Sequence, residues 1–154
     1  MNNKFVMLQG IVLVTILTYA PWAQATLGGT ADTVTADRKA LSAVSRAATP
    51  CNGYTVEELA FDSTTVREYV SPAGIVFGLA WNGYVHPDLT QLLGSYAQEY
   101  AAALEKTPRI HGRNRQKIVT NDLVVEKWGH MRDLRGRAYA PALVPSGVSI
   151  DEIK

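Results

Sequence analysis

Few side chains in this sequence are of types that carry out chemistry, and none falls in a recognised catalytic pattern. The three histidines, His86, His111 and His130, are far apart, and no HExxH, CxxC or GxSxG spacing includes them. A metal site needs three or four convergent ligands, and the sequence nominates no such set. The sequence therefore predicts neither a metal site nor a cofactor.

Glu68 is the best candidate for acid–base chemistry because it is the one charged residue on the small face of an otherwise apolar hairpin. Burial would raise its pKa towards neutrality, and Arg67 or His130 could act with it. Arg67 and Glu68 are adjacent, so in a strand they point to opposite faces. An ion pair with Arg132 or Arg137 is the commoner use of such a glutamate, and we assign no catalytic residue from the sequence.

A basic segment from Lys106 to Lys117 is the clearest candidate for a binding surface. Its Pro108 and Gly112 predict a loop without acidic residues. The basic side chains in it are Lys106, Arg109, Arg113, Arg115 and Lys117. Such a patch could bind anionic phospholipid or lipopolysaccharide head groups, or it could be a solvated connector.

Charge is divided unevenly along the chain. Acidic residues outnumber Lys and Arg nine to four from Thr26 to Glu105, whereas Lys and Arg lead ten to five from Lys106 to Lys154. The basic segment could therefore balance the acidic half of the domain. The formal net charge is only +1, which argues against a nucleic-acid partner.

The N-terminal segment has the composition of a secretory signal peptide. Lys4 precedes an uncharged, apolar run of about 15 residues, shorter than the roughly 20 that a permanent membrane helix needs. Small residues at Ala23 and Ala25 suit signal peptidase, so we expect cleavage after Ala25 and a periplasmic or secreted protein. The mature protein would have no stable transmembrane span. An uncleaved N-terminal anchor is the alternative.

The only cysteine of the chain, Cys51, lies in the predicted mature part. An exported protein with a single cysteine has no internal disulfide. Cys51 is therefore either an incidental loop residue or one half of an intermolecular disulfide.

The segment from Thr64 to Gly83 predicts a β-hairpin around which the rest of the chain is organised. Pro72 presets the backbone for a type I turn and Gly74 can take the left-handed conformation, so Ser71 should pair with Ile75. Stepping outward from that pair gives one large face, with Thr65, Arg67, Tyr69, Phe77, Leu79 and Trp81. It also gives a small face, with Val66, Glu68, Val70, Val76, Gly78 and Ala80, onto which a helix could pack. The second strand is almost wholly apolar and should be central in its sheet.

Two helices are predicted to pack on the sheet. The first should begin near Thr33 to Thr35 and end before Pro50, with a thin, alanine-rich apolar stripe. The second should follow Asp88 as its N-cap and carry a core stripe from Leu89 to Leu104. The segment Leu27-Gly28-Gly29, before the first helix, is flexible by composition.

The remaining strands are predicted from alternation. Tyr54 to Asp62 would complete a three-strand meander with the hairpin. Asp122 to Lys127 and His130 to Leu134 would form a C-terminal hairpin with a tight turn at Trp128-Gly129. Arg135-Gly136 should end that hairpin, so that residues from about 136 form an irregular tail over the domain.

The expected fold is thus an α+β domain over residues 26–154. It combines an antiparallel sheet, made of the three-strand meander and the C-terminal hairpin, with two helices. The composition, 47% hydrophobic and 19% charged, is that of a globular domain able to bury a core.

Four stretches of the chain resemble a family of exported bacterial proteins known as domain-of-unknown-function family 2844. The stretches are LGG at the mature start, VREYVSPAGIVFGLAW, PDLTQLLGSY and DLVVEKWGHMRDLRGRAY. The resemblance covers nearly the whole mature chain. It implies an exported, single-domain protein of a Gram-negative bacterium, and it carries over no catalytic residues.

Two functions stay open at this point. The first is a non-catalytic binding or accessory module of the cell envelope, acting through a protein partner or an anionic component. The second is a small periplasmic enzyme of hydrolase type with an unassigned substrate, which a cleft that joins Glu68, His130 and an arginine would favour. The aromatic residues that could line a ligand groove, or pack in the core, are Tyr69, Trp81, Tyr84 and Trp128.

Overall fold

The protein is described from a computed structural model, which covers residues 27–30, 44–61, 63–108, 112 and 114–154. Its main element is a seven-stranded antiparallel sheet. The strands are β1 (Val44–Cys51), β2 (Tyr54–Ala60), β3 (Thr64–Val70), β4 (Val76–Gly83), β5 (Arg115–Val119), β6 (Val124–His130) and β7 (Asp133–Tyr139). They are ordered β1-β2-β3-β4-β7-β6-β5, so that β4 is central, as its apolar sequence predicted.

One helical segment connects β4 to β5 and covers one face of the sheet. Helix α1 (Leu89–Leu93) continues through a 3₁₀ turn (Gly94–Tyr96) into α2 (Ala97–Lys106). The predicted N-cap is confirmed, since the side chain of Asp88 accepts a hydrogen bond from the Thr90 N–H at 2.9 Å. The helix buries its leucines and Tyr100 on Val66, Leu79, Trp81 and other sheet residues. We call this side of the sheet the helix face.

The first of the two predicted helices, from near Thr33 to before Pro50, is a wrong prediction in the part that the structure describes. Residues Val44–Cys51 form the edge strand β1, which pairs with β2 from Val44↔Ala60 to Cys51↔Tyr54. The alanine-rich sequence suits a helix locally, but the neighbouring strand offers a complete set of backbone partners, which decides the structure. The start of that helix, near Thr33, lies outside the described residues.

The hairpin of β3 and β4 closes with the predicted turn, but its register departs from the predicted one directly after the pair Val70 and Val76. The Ser71 N–H donates to the Ile75 carbonyl at 2.8 Å, and Gly74 has φ +76°. A bulge then leaves Phe77 without a cross-strand partner on β3, since Val70 pairs with Val76 and Tyr69 with Gly78. The sequence-based register, which pairs Tyr69 with Phe77 and continues outward to Thr65 with Trp81, is therefore wrong beyond the pair Val70 and Val76.

This shift reverses the sides assigned to the residues of β4 from Gly78 onward, while Val76 and Phe77 lie on the predicted sides. Leu79 and Trp81 lie on the helix face with Val66, whereas Gly78 and Ala80 lie on the opposite face. The floor formed by Gly78 and Ala80 is covered by the C-terminal segment rather than by a helix. An added Cβ at Gly78 would lie 2.9 Å from Ile153 Cδ1.

The C-terminal hairpin is longer than predicted. Strand β6 runs without interruption through Trp128-Gly129, and the turn lies at Met131-Arg132, where Arg132 has φ 70°. Strand β7 continues through Gly136 to Tyr139 because backbone pairing with β4 and β6 supports it on both sides. The irregular C-terminal segment accordingly begins at Ala140 and not near residue 136.

The C-terminal segment, residues 140–154, packs on the sheet face opposite the helix, which we call the tail face. Ile153 is fully buried in a cluster with Tyr54, Tyr69 and Phe77. The Tyr54 hydroxyl donates to Glu152 Oε2 at 2.7 Å. This segment covers only part of the tail face.

The segment Leu27-Gly28-Gly29, predicted to be flexible, is instead bound to the core. Leu27 is 1% exposed, and its N–H donates to the Leu92 carbonyl of the helix. Gly28 donates to the Val76 carbonyl, and the Val76 N–H donates to Gly29. These residues therefore join the helix to the start of β4. Among the described residues, no helix is long and apolar enough to cross a membrane.

Candidate functional site

The part of the tail face that the C-terminal segment leaves uncovered carries a row of polar and aromatic residues. The strand register places Arg115 of β5 opposite Trp128 of β6, Trp128 opposite Arg135 of β7, and Arg135 opposite Asn82 of β4. Side chains directly opposite one another on antiparallel strands have Cβ atoms about 4.5–5.5 Å apart. The indole of Trp128 is therefore flanked by two arginines.

These four residues, Arg115, Trp128, Arg135 and Asn82, define what we call the Trp128 groove. Trp128 is partly exposed, and Arg115 and Arg135 are exposed. Trp128 lines a cavity of about 440 Å³ that is bounded on one side by Ile153 of the C-terminal segment. That volume is in the range of small-molecule sites.

The next row of the same face is an ion-pair network centred on Glu126. Lys117 Nζ lies 2.7 Å from Glu126 Oε1, and Arg137 Nε lies 2.6 Å from Glu126 Oε2. Burial tends to raise the pKa of Glu126, but the hydrogen bonds from Lys117 and Arg137 outweigh it and hold that pKa below its ordinary value. Glu126 is therefore ionised at neutral pH and fixes both cations along one wall of the cavity.

Arg135 is held differently, by a carboxylate at the end of its own strand. Its Nε and Nη2 donate to the two oxygens of Asp133 at 2.9 and 3.2 Å. The hydrogen bond from Arg135 lowers the pKa of Asp133. Both side chains are 55% exposed, so this pair contributes little to stability, and it holds the guanidinium beside Asp133.

The electrostatic balance of the cavity is positive. Its lining includes four cationic side chains, those of Arg115, Lys117, Arg137 and Lys154, and one carboxylate, that of Glu126. Within the described residues, Arg115 makes no ion pair. An anion in this cavity would therefore meet an arginine that is not already engaged by a carboxylate.

The basic segment predicted as a binding loop is divided by the structure. Lys106 is the exposed last residue of the helix, while Arg115 and Lys117 lie in strand β5 rather than in a loop. Lys117 is engaged by Glu126, and Arg115 lines the Trp128 groove. Arg109 and Arg113 lie outside the described residues.

The groups proposed for catalysis do not converge. Glu68 is fully buried on the helix face, between Val66 and Val70 along β3. His130 is exposed at the far end of β6 on the tail face, where its Nδ1 lies 3.4 Å from Asn114 Nδ2. Arg137, considered as a partner of Glu68, pairs with Glu126. Among the described residues, no group of three or more His, Cys, Asp or Glu side chains could hold a metal ion.

His86 has a structural role on the opposite face. Its Nδ1 accepts a hydrogen bond from the buried Trp81 Nε1–H at 2.9 Å. Burial and the charge of Lys127 lower the pKa of His86, so the ring is neutral at pH 7. It borders a second cavity, of about 250 Å³, beside the start of the helix.

The four aromatic candidates have different environments. Trp81 is 2% exposed beneath the helix, and Tyr69 is buried under the C-terminal segment, with its hydroxyl bound to the Lys154 backbone. Tyr84 is 65% exposed outside the grooves. Trp128 alone of these four is both partly exposed and flanked by cations.

Sequence reasoning missed the Trp128 groove because it assigned Arg115 to a loop and Trp128 to a turn. The available signal was alternation. Arg115 and Lys117 alternate with Gln116 and Ile118, and Arg135, Arg137 and Tyr139 alternate in β7. Each of these alternations places the arginine and lysine side chains of its strand on one face of that strand.

The fold and the groove together define a class of protein: an antiparallel sheet with a helix on one face and a basic, aromatic groove on the other. A family model described as "Protein of unknown function (DUF2844)" matches residues 23–153, and the chain belongs to that family. The resemblance seen in the sequence is thus confirmed. No curated protein and no solved structure matches the chain.

Proposed function

We propose that this protein is an exported, non-catalytic binding module of the bacterial cell envelope, and that the Trp128 groove binds anionic envelope components. The observation that carries the proposal is the row Arg115–Trp128–Arg135 beside a cavity with four cations and one carboxylate. The Trp128 groove replaces the segment of residues 106–117, which the sequence predicted to be a loop, as the proposed contact surface.

The chemistry of the groove favours an anion with phosphate or carboxylate groups. A guanidinium presents donors in a fork that matches two oxygens of such a group. Arg115 is available for this contact, and Arg135 still has donors beyond those that bind Asp133. A Gram-negative envelope presents phosphate groups in abundance on lipopolysaccharide and on anionic lipids.

The hydrolase alternative has weaker support. It depended on Glu68 acting with His130, and these residues are on opposite faces of the sheet. The carboxylates near the groove, Glu126 and Asp133, have lowered pKa values, so neither is poised to donate a proton at neutral pH.

Sedimentation with lipopolysaccharide tests the proposal. The mature protein, residues 26–154, is mixed with lipopolysaccharide aggregates or with vesicles containing phosphatidylglycerol, and the bound fraction is measured at low and high salt. We expect retention at low salt and release at high salt, because charges farther apart than about 8 Å are screened near physiological ionic strength. Neutral phosphatidylcholine vesicles should not retain the protein.

Two double variants that remove the same charge locate the surface. Arg115→Gln with Arg135→Gln removes the groove cations, and Arg109→Gln with Arg113→Gln removes two cations from the preceding segment. We expect the first pair to weaken binding at least tenfold and the second to weaken it much less. A larger effect from the second pair would assign binding to that segment, and no effect from either pair would refute the proposal.

A further inference from the structure

The most specific feature of the Trp128 groove is that it combines three kinds of contact in one row. Trp128 lines three cavities on the tail face and is the residue that they share. Arg115 lies on one side of it and Arg135 on the other. A binder of simple anions needs the arginines but not an exposed indole between them.

The indole offers a flat, apolar surface of the kind that stacks on the face of a ring. Trp128 is only partly exposed, and a tryptophan side chain has only two torsions, so little side-chain freedom is lost when a ligand covers it. The neighbouring arginines prevent a purely apolar ligand from being favoured, because such a ligand would strip water from two cations without replacing it.

Side-chain amides lie next to both arginines of the row. Asn82 of β4 is opposite Arg135, and Asn114 immediately precedes Arg115, with its Nδ2 3.4 Å from His130 Nδ1. An amide side chain both donates and accepts hydrogen bonds, and this dual character matches hydroxyl groups. Phosphate and carboxylate groups at neutral pH only accept, so they use the arginines and leave the amide acceptors unmatched.

We infer that the groove binds an acidic sugar, with the apolar face of a pyranose ring on Trp128, its phosphate or carboxylate on Arg115, a hydroxyl at Asn114, and a neighbouring sugar of the same glycan at Asn82. This inference rests on the proposed function and names its ligand class: the glycan part of an envelope component rather than a lipid head group. The cavity of about 440 Å³ beside Arg115 and Trp128 has room for a sugar ring, and Asn82 lines a separate cavity of about 280 Å³ together with Trp128 and Arg135.

The test compares small probes that carry an anionic group, a sugar ring or both. The mature protein, labelled with ¹⁵N, is titrated with inorganic phosphate, glucose and glucose 6-phosphate, and dissociation constants are taken from backbone and indole chemical shifts. We expect glucose 6-phosphate to bind at least tenfold more tightly than either phosphate or glucose, with the largest shifts at Trp128 and Arg115. The buried indole of Trp81, 2% exposed, should shift little.

Single variants separate the contribution of the Trp128 indole to the affinity from that of the Arg115 guanidinium. Trp128→Ala should reduce the affinity for glucose 6-phosphate to that for phosphate, whereas Arg115→Gln should reduce it to that for glucose. Lys106→Gln removes one exposed cation at the end of the helix and should leave all three affinities unchanged. The amide spectrum of each variant reports whether it is folded, and the comparison of the three probes on the parent protein does not depend on any variant.

The results that would contradict the sugar inference differ from those that would contradict the proposed function. If phosphate and glucose 6-phosphate bind equally and Trp128→Ala changes nothing, the groove is a simple anion site, so the sugar inference is wrong and the proposed function stands. If phosphatidylglycerol vesicles bind as tightly as lipopolysaccharide, the lipid head group is the source of the anion and the inference is again wrong. If neither phosphate, sugar phosphate nor lipopolysaccharide binds, both proposals fall.

Discussion

Replacing Ile153 with alanine tests whether the C-terminal segment belongs to the cooperative fold. Ile153 is fully buried in the aromatic cluster of the tail face and contacts the floor at Gly78. Truncation of a buried isoleucine to alanine costs about 2–5 kcal/mol. For a domain of this size each kcal/mol lowers Tm by about 3–5 °C, so we expect a fall in Tm of about 6–25 °C.

The same segment supplies a matched control. Ile150 lies three residues earlier and is 37% exposed, so Ile150→Ala should change the free energy of unfolding by about 0.5 kcal/mol or less. Both variants are compared with the parent by thermal and urea unfolding, followed by circular dichroism. If Ile153→Ala melts at the parent temperature, the segment detaches before the sheet unfolds and the reasoning is refuted.

A double-mutant cycle identifies the contact itself. Gly78→Ala would place a Cβ 2.9 Å from Ile153 Cδ1, which is too close for an undisturbed contact, so the substitution should destabilise the parent. In the Ile153→Ala background the same change should cost much less, with a coupling of about 0.5–3 kcal/mol. Strictly additive effects would mean that the two side chains do not meet.

Three further predictions concern other parts of the chain. Glu126→Gln should destabilise the protein by about 1–3 kcal/mol at pH 7, because two cations lose their carboxylate. The pKa of Glu126 is lower in the folded protein than in the unfolded chain. The contribution of Glu126 to stability is therefore complete above the unfolded pKa of about 4.3 and is lost as pH falls through the folded pKa. Urea unfolding should therefore show the gap between parent and variant closing below about pH 4, and a gap constant from pH 3 to 7 would contradict this. Gly74→Val should cost about 1–2 kcal/mol because φ is +76°, whereas Ala73→Val in the same exposed turn should be nearly neutral; equal melting temperatures for the two would be inconsistent with a strained turn. N-terminal sequencing of the envelope fraction should find Thr26 first, and an intact Met1 terminus would indicate an uncleaved anchor.

The sequence predicted those features that depend on a few local residues. Pro72 and Gly74 specify the hairpin turn, and Asp88 specifies the start of the helix, because each acts within a few residues of itself. The central position of β4 followed from its continuous apolar sequence.

Features that depend on partners distant in the chain were not predictable in this way. The bulge at Phe77 has no sequence signature, yet it moves Leu79 and Trp81 to the other side of the sheet. Strand β5 exists because β6 supplies its backbone partners, and the turn residues around it favoured a loop. The Trp128 groove depends on three strands at once, so it became visible only with the register.

The docking of Leu27 has a consequence for the order of events during export. If signal peptidase cuts after Ala25, one residue separates the new terminus from a side chain that is 1% exposed and held between the helix and β4. A peptidase must hold the chain on both sides of the bond it cuts in an extended form. Cleavage must then come before Leu27 docks, so the last part of folding can occur only after the leader has been removed. A chain that folded first would hide its own cleavage site.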